Sequence, residues 1–232
     1  ANQGKSADSL DVLLDFPAQL RAVGNCKGKT ILDLGSGVGD KSHYFASNGA
    51  AEVIGVDIAD EFVKMASEKY LADNLKFMYG DLRDLSEIKD LTGKRFDVIT
   101  CFQAISFSDD LQLTFSKIAE LLAPNGKFVV TFPSPLRFAV EKSERFKIPV
   151  AKAYFQSGLY SYPASWNADL TMEHYVYRFS DIMNAFAFAK LHVVHCEEPE
   201  LNQAHRDKYP HKAEWVDKYG GIIVYQLKKL SS

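Results

Sequence analysis

A chain of 232 residues, 47% hydrophobic and 25% charged, has the ordinary composition of a soluble globular protein and the length of one large domain with a substantial core. Its net charge of −3 gives no field to gather nucleic acid or an anionic membrane surface, and no apolar run reaches the roughly 20 residues of a membrane span. Cys26, Cys101 and Cys196 stand far apart without paired spacing, which argues against a disulfide framework or zinc cluster and for a reducing, cytoplasmic setting.

The opening stretch ANQGKSADSL lacks the apolar core of a signal peptide. KTILDLGS then reads as a buried strand and VGDKSHYFASNG as a helix closed near Gly49. EVIGVDI is the next strand, followed by the helix DEFVKMASEKYLAD with Asp60 and Glu61 in its first turn, where acids are favoured. LKFMYGD and FDVITCFQ are two more strands. In DLQLTFSKIAELLAPNG, Leu111, Phe115, Ile118 and Leu122 share one helical stripe, stopped by Pro124, Asn125 and Gly126 before a fifth strand, KFVVTF. Strict alternation of strand and helix predicts an α/β fold with a mostly parallel sheet covered on both faces.

The rhythm breaks after Pro133. To about Met172 there are prolines, glycines and many aromatics but no clear strand. RFSDIMNAFAFAK restores a helix with Phe179, Ile182, Met183 and Phe186 as its stripe. LHVVHC and GGIIVYQLKK read as two last strands joined by a long polar connection, and a connection of that length carries function or is mobile. The expectation is a single domain over 1–232: an N-terminal helical cover (1–27), a ligand-binding half (28–133), an inserted aromatic-rich lid after the fifth strand (134–178), and the last helix and strands (179–232).

The glycine turn allows close backbone approach to a ligand and opens a helix N-terminus. Its spacing, Gly35-Ser36-Gly37-Val38-Gly39, is one residue tighter than the dinucleotide fingerprint, which disfavours an oxidoreductase. Asp33, two positions earlier, suits an ammonium group better than a pyrophosphate. Asp57 closes the second strand and can accept both hydroxyls of a ribose, whereas Asp81 closes the third and can take the exocyclic amine of an adenine. One such acid is as readily a helix cap or a solvated turn residue. Three acids on three successive strand ends, at the edge where open parallel sheets bind ligands, point instead to one site.

ILDLGSGVGDKS, VIGVDIADEFVKMA, FMYGDLRDL, FDVITCFQAISF and LLAPNGKFVVTFP resemble, in order, the motifs of class I S-adenosylmethionine-dependent methyltransferases. The likeness covers roughly residues 28 to 133. It is strongest to the small-molecule branch with the ubiquinone and menaquinone methyltransferases, and a narrower resemblance is to bacterial secondary-metabolite enzymes of the toxoflavin type. EHYVYRFSDIMNAFAFAKLHVVHCEEPE is similar to a later segment of that family, with Tyr177 where the family has a histidine. The resemblance implies a doubly wound, seven-stranded Rossmann-like sheet with GGIIVYQLKK as an antiparallel strand between neighbours. It implies S-adenosyl-L-methionine as cofactor and S-adenosyl-L-homocysteine as product. Gly35, Gly37 and Gly39 would line the methionine and ribose portions, Asp33 would reach the α-amino group, and Asp57 the ribose hydroxyls. Ile58 would flank the adenine, Asp81 and Leu82 would bind its edge, and Phe102 and Gln103 would close the site.

The reaction so implied is in-line methyl transfer to a nitrogen or oxygen of a small, flat or aromatic metabolite. Within the insertion, Tyr160, Trp166, Tyr177 and Arg178 are candidate substrate contacts, with the core of a lid as the plainer reading of each ring. His174 is the foremost acid–base candidate because its pKa lies near neutrality, with Tyr162 and Tyr175 beside it in the same role. Two other readings stand: a methyltransferase acting on nucleic acid or protein, or a non-catalytic cofactor-binding module. CFQAIS, in place of the N/D-P-P-aromatic motif of base methylation, and the lack of a basic stripe speak against a nucleic-acid partner. His192 and His195 fall on opposite faces of their strand and cannot share a metal ion, so no metal is expected. The pattern implies no particular oligomeric state.

Overall fold

The computed structural model describes residues 8–164 and 167–230. A π-helical turn, Asp11–Asp15, leads into α1 (Phe16–Val23). Then follow β1 (Thr30–Leu34), α2 (Asp40–Ser47), β2 (Glu52–Asp57), α3 (Asp60–Lys69), β3 (Leu75–Tyr79) and β4 (Phe96–Phe102). α4 (Leu111–Leu121) runs into β5 (Leu122–Pro133), the helix being capped by the Asp110 carboxylate on the Leu113 N–H. The sheet order is β3-β2-β1-β4-β5-β9-β8, where β8 is Leu191–Glu197 and β9 is Ile222–Lys229. β9 lies antiparallel between β5 and β8, and β1 to β5 are parallel. The fold is thus the mostly parallel, seven-stranded α/β sheet that the alternation and the resemblance imply.

Both faces of the sheet are buried, which is why its central strands read as continuous apolar runs. On one face Phe115 and Ile118 of α4 pack with Ile182 and Phe186 of α7 (Phe179–Phe188) against Phe128, Phe132 and Tyr225. Each such fully buried ring contributes roughly 1.5–3 kcal/mol. Phe179, placed on the same stripe by the sequence, is instead half exposed at the first turn. On the other face Ala18, Ala22 and Val23 of α1 and Phe45 of α2 cover Ile31, Val98 and Val129. Among the described residues no helix is long and apolar enough to cross a membrane.

Residues 134–178 hold more order than the sequence suggests. α5 (Pro135–Phe146) and α6 (Val150–Tyr154) precede a hairpin of β6 (Gly158–Ala164) and β7 (Asn167–Val176) that pairs apart from the main sheet. Gly158 and Pro163 read as strand breakers, yet the glycine opens the strand and the proline stands next to a register shift at its end, where a missing N–H is tolerated. The polar connection before β9 likewise folds into α8 (Gln203–Lys208) and α9 (Pro210–Tyr219). Only Ala213 and Val216 of α9 are fully buried, too few to give a helical stripe in sequence, and they close over Leu14 and Leu201.

Candidate active site

At the carboxyl edge of the parallel strands two adjoining cavities of about 480 and 450 Å³ open beside the switch between β1 and β4. Gly35, Phe62, Phe102 and Gln103 border both, so the two form one groove. The turn after β1 sits at its centre because the Gly35 and Ser36 N–H groups both donate to the Val56 carbonyl, at 2.8 and 3.0 Å. Gly35 has φ +72°, and a Cβ there would stand 2.1 Å from the Ala104 methyl. Only glycine fits that position.

The first cavity is walled by Asp57, Ile58, Phe62, Asp81, Leu82 and Phe107. Asp57 Oδ2 accepts from the Gly37 N–H at 2.7 Å and Oδ1 from the Ala59 N–H at 2.9 Å, so one carboxylate ties the glycine turn to the end of β2. Asp81 accepts from the Arg83 backbone N–H at 2.8 Å and from its Nε and Nη2 at 2.9 and 2.5 Å. That guanidinium holds the Asp81 carboxyl below the usual carboxylate range.

Asp33, Gly37, Lys41, Asp11 and Phe16 line the second cavity. Asp33 is buried, and its oxygens accept from the Ser42 and Thr100 hydroxyls at 2.6 and 2.8 Å. Burial pushes its carboxyl above the usual range, with those two hydroxyls and the Lys41 charge acting the other way. Lys41 Nζ donates to Asp11 at 2.9 Å and to Gln19 at 2.7 Å, and it lies over the Phe16 and Phe102 rings. These bonds fasten the N-terminal cover beside the second cavity. Gly39 borders neither cavity; it is buried, and a side chain there would strike Phe77 and Ala66.

A third cavity of about 220 Å³ lies behind, among the cover, the lid and α9. Asp15, Arg137, His174 and Trp215 line it, and Gln103 lines all three cavities. Gln103 holds a left-handed backbone, φ +68°, while its Nε2 donates to Asp15 Oδ2 at 2.8 Å. Backbone strain of this kind collects at functional sites. Gln103→Ala and Gln103→Gly both lose the bond to Asp15, but glycine relieves the strain. The glycine variant is therefore expected to be about 1 kcal/mol the more stable of the two in urea melts, and equal midpoints would mean that no strain is stored there.

The acid–base candidates divide by strand alternation. His174 and Tyr175 are neighbours on β7 and point to opposite faces. His174 Nδ1 lies 3.0 Å from the Tyr162 hydroxyl, and its ring, which lines the third cavity, meets edge-on at 4.8 Å the Phe107 ring that walls the first. Burial lowers the His174 pKa, and the neighbouring Arg137 charge lowers it further, so the ring is neutral near pH 7. Burial raises that of Tyr162. Tyr175 stands within electrostatic reach of Arg83 and Tyr177.

The substrate candidates are not gathered at the cavities. Tyr160 is buried in the lid core, stacked on Tyr162 and edge-on to Phe138. Tyr177 donates its hydroxyl to the Ser108 carbonyl and packs against Phe132. Arg178 caps α7, with Nε and Nη2 on the Asp181 carboxylate at 3.0 and 2.7 Å. Trp166 lies outside the described residues. Sequence reasoning does not single out Phe62, Phe107, Arg83, Lys41, Arg137 or Trp215. For the first two a signal exists, since both are large aromatics a few residues beyond a strand end, Phe62 in the first turn of α3 and Phe107 closing the 3-10 turn after β4.

Residues 25–223 match a protein-family model described as a methyltransferase domain. A ubiquinone biosynthesis O-methyltransferase of Coxiella burnetii is 35% identical over 101 residues, which are 44% of this chain and 42% of that protein. The chain spans about half the length of the curated relatives it matches. Among solved structures, an S-adenosylmethionine-dependent methyltransferase of Mesorhizobium loti superposes with a TM-score of 0.76 at 19% identity, covering 95% of this chain and 98% of that one. Magnesium protoporphyrin IX methyltransferase of Synechocystis, solved with S-adenosylhomocysteine, gives 0.61 at 19% identity, covering 93% and 81%.

Proposed function

The chain belongs to the methyltransferase-domain family, and on that premise we propose that it methylates a nitrogen or oxygen of a small, flat metabolite with S-adenosylmethionine. The observation that carries this reading is the junction at Gln103, where a two-part groove meets a smaller cavity walled by Trp215, His174 and apolar residues. The residues present suit the cofactor. Asp57 and Asp81 offer acceptors among apolar walls at the adenosine end, and Asp33 and Lys41 offer opposite charges for a zwitterionic tail at the other. At Gly35 there is room for a ligand against the backbone and none for a side chain.

Bound there, S-adenosylmethionine would supply a methyl group on a positively charged sulfur. The chain's own work is to hold the acceptor in line and keep water out, which lowers such barriers by up to roughly 7–11 kcal/mol. In the tautomer whose Nδ1–H donates to the Tyr162 oxygen, His174 keeps a lone pair on Nε2 and takes the proton that a hydroxyl or ammonium acceptor releases. Its lowered pKa keeps that lone pair available through neutrality. Three free cysteines support a cytoplasmic setting.

Calorimetry is expected to show one site for S-adenosylhomocysteine and none for NAD; the reverse would overturn the proposal. Against a panel of single-ring phenols and anilines, kcat/KM is expected to fall on the acid side, below the ordinary histidine pKa of about 6.5. His174→Gln is expected to remove that limb and cost about 10²–10⁴ in rate. An unchanged profile would take the base role from His174.

A further inference from the structure

We propose that the third cavity is a carboxylate site, in which Arg137 receives the acid group of a single-ring aromatic acid. The proposal rests on the methyl-transfer reading only in making that acid the methyl acceptor. Arg137 projects from α5, where its Nε donates to Glu141 one turn on, at 2.8 Å. Among the described residues it makes no other hydrogen bond, so the two terminal nitrogens of this partly buried, cavity-lining residue keep their donors unused. A planar fork of this kind matches a carboxylate with two parallel hydrogen bonds.

The surroundings select further. Arg137 lies over the Trp215 ring, 5.0 Å from its centroid, and over Phe138 at 5.4 Å, so two aromatic rings hold the guanidinium in place. Pro133, Leu10, Leu14 and Ile222 supply apolar wall. At about 220 Å³ the space is below the roughly 300–1,000 Å³ of sites for drug-sized ligands, and one ring with its substituents fills it. Asp15 lines the same cavity and opposes a second negative charge, which favours a carboxylate over a phosphate dianion. Gln103 lines both this cavity and the groove, and His174 shares the cavity wall with it, so a ring anchored at Arg137 extends its far substituent between His174 and that junction.

Benzoate, benzamide and acetate titrated calorimetrically into the full chain, with and without saturating S-adenosylhomocysteine, test this. Benzoate is expected to bind roughly 10–100-fold more tightly than benzamide, the range for a hydrogen bond to a charged group, and more tightly than acetate. Arg137→Gln is expected to bring benzoate and benzamide within twofold of each other. Glu141→Gln, which releases the guanidinium from its partner, is expected to tighten benzoate several-fold. Equal binding of benzoate and benzamide, no benzoate binding at millimolar concentration, or a preference that survives Arg137→Gln would each overturn the proposal. Should Arg137→Gln fail to fold, the wild type and Glu141→Gln decide. Binding of benzoate without any binding of S-adenosylhomocysteine would leave the carboxylate site standing and remove the methyl-transfer reading.

Discussion

Gly35→Ala is expected to abolish binding of S-adenosylhomocysteine and to lower stability by roughly 2–5 kcal/mol. Two separate costs add. The backbone at φ +72° strains any residue with a Cβ, and the new methyl would stand 2.1 Å from the Ala104 Cβ, far inside contact distance. For a chain of this length the sum corresponds to a fall in Tm of about 5–20 °C. The groove cannot yield toward the ligand side without breaking the paired bonds from Gly35 and Ser36 to the Val56 carbonyl. A second substitution separates the two costs. Ala104→Gly removes the opposing methyl, leaving the Ala104 Cα, at 3.6 Å, in ordinary contact. The double variant is expected to regain the overpacking part but not the backbone part, a coupling that a double-mutant cycle reads directly. A stable Gly35→Ala protein with normal affinity would mean that the turn tolerates a side chain and does not set the floor of the site, whereas no rescue by Ala104→Gly would assign the whole loss to the backbone.

The groove around Gly35 is legible in the amino-acid sequence because its parts are local to one another along the chain. Strand, turn and acid follow at short range, and parallel β-sheet geometry brings successive strand ends to one edge, so Asp33, Asp57 and Asp81 align by counting alone. The third cavity is not legible in this way. Asp15, Arg137, His174 and Trp215 come from the cover, α5, β7 and α9, separated by stretches that carry no shared periodicity. Nothing in SPLRFAV or HKAEWVDKY signals that Arg137 and Trp215 will stack. Aromatic richness in the insertion is visible but misleading. The hairpin's alternation turns Tyr160 into the lid's own packing, where with Phe138 and Val176 it buries what a free hairpin would expose. Tyr177 and Arg178 are likewise taken up by local bonds, to Ser108 and Asp181, that hold the start of α7. The same contacts that place these residues in the fold leave them outside the linings of the three cavities.

Among the three strand-end acids, Asp57 is expected to matter most. Its two oxygens already hold the Gly37 and Ala59 N–H groups, so Asp57→Ala removes the proposed ribose acceptor and also releases the turn that forms the groove floor. Hydrogen bonds to a charged group are worth roughly 1.5–3 kcal/mol each, and water replaces part of that at a half-open site. A loss of about 100-fold in affinity for S-adenosylhomocysteine, or ~2.7 kcal/mol, is the expected result. Asp57→Asn is expected to fall between, since its amide oxygen can accept from only one of the two N–H groups while its NH₂ faces the other. Asp81→Ala is expected to cost only about tenfold, because that carboxylate is already engaged by Arg83, and any bond to a ligand amine competes with a guanidinium that lowers its pKa. The order Asp57→Ala, Asp57→Asn, Asp81→Ala is therefore the test. If Asp81→Ala proves the most damaging, the adenine edge rather than the glycine turn dominates binding; if Asp57→Ala binds normally with the fold intact, the ribose assignment fails.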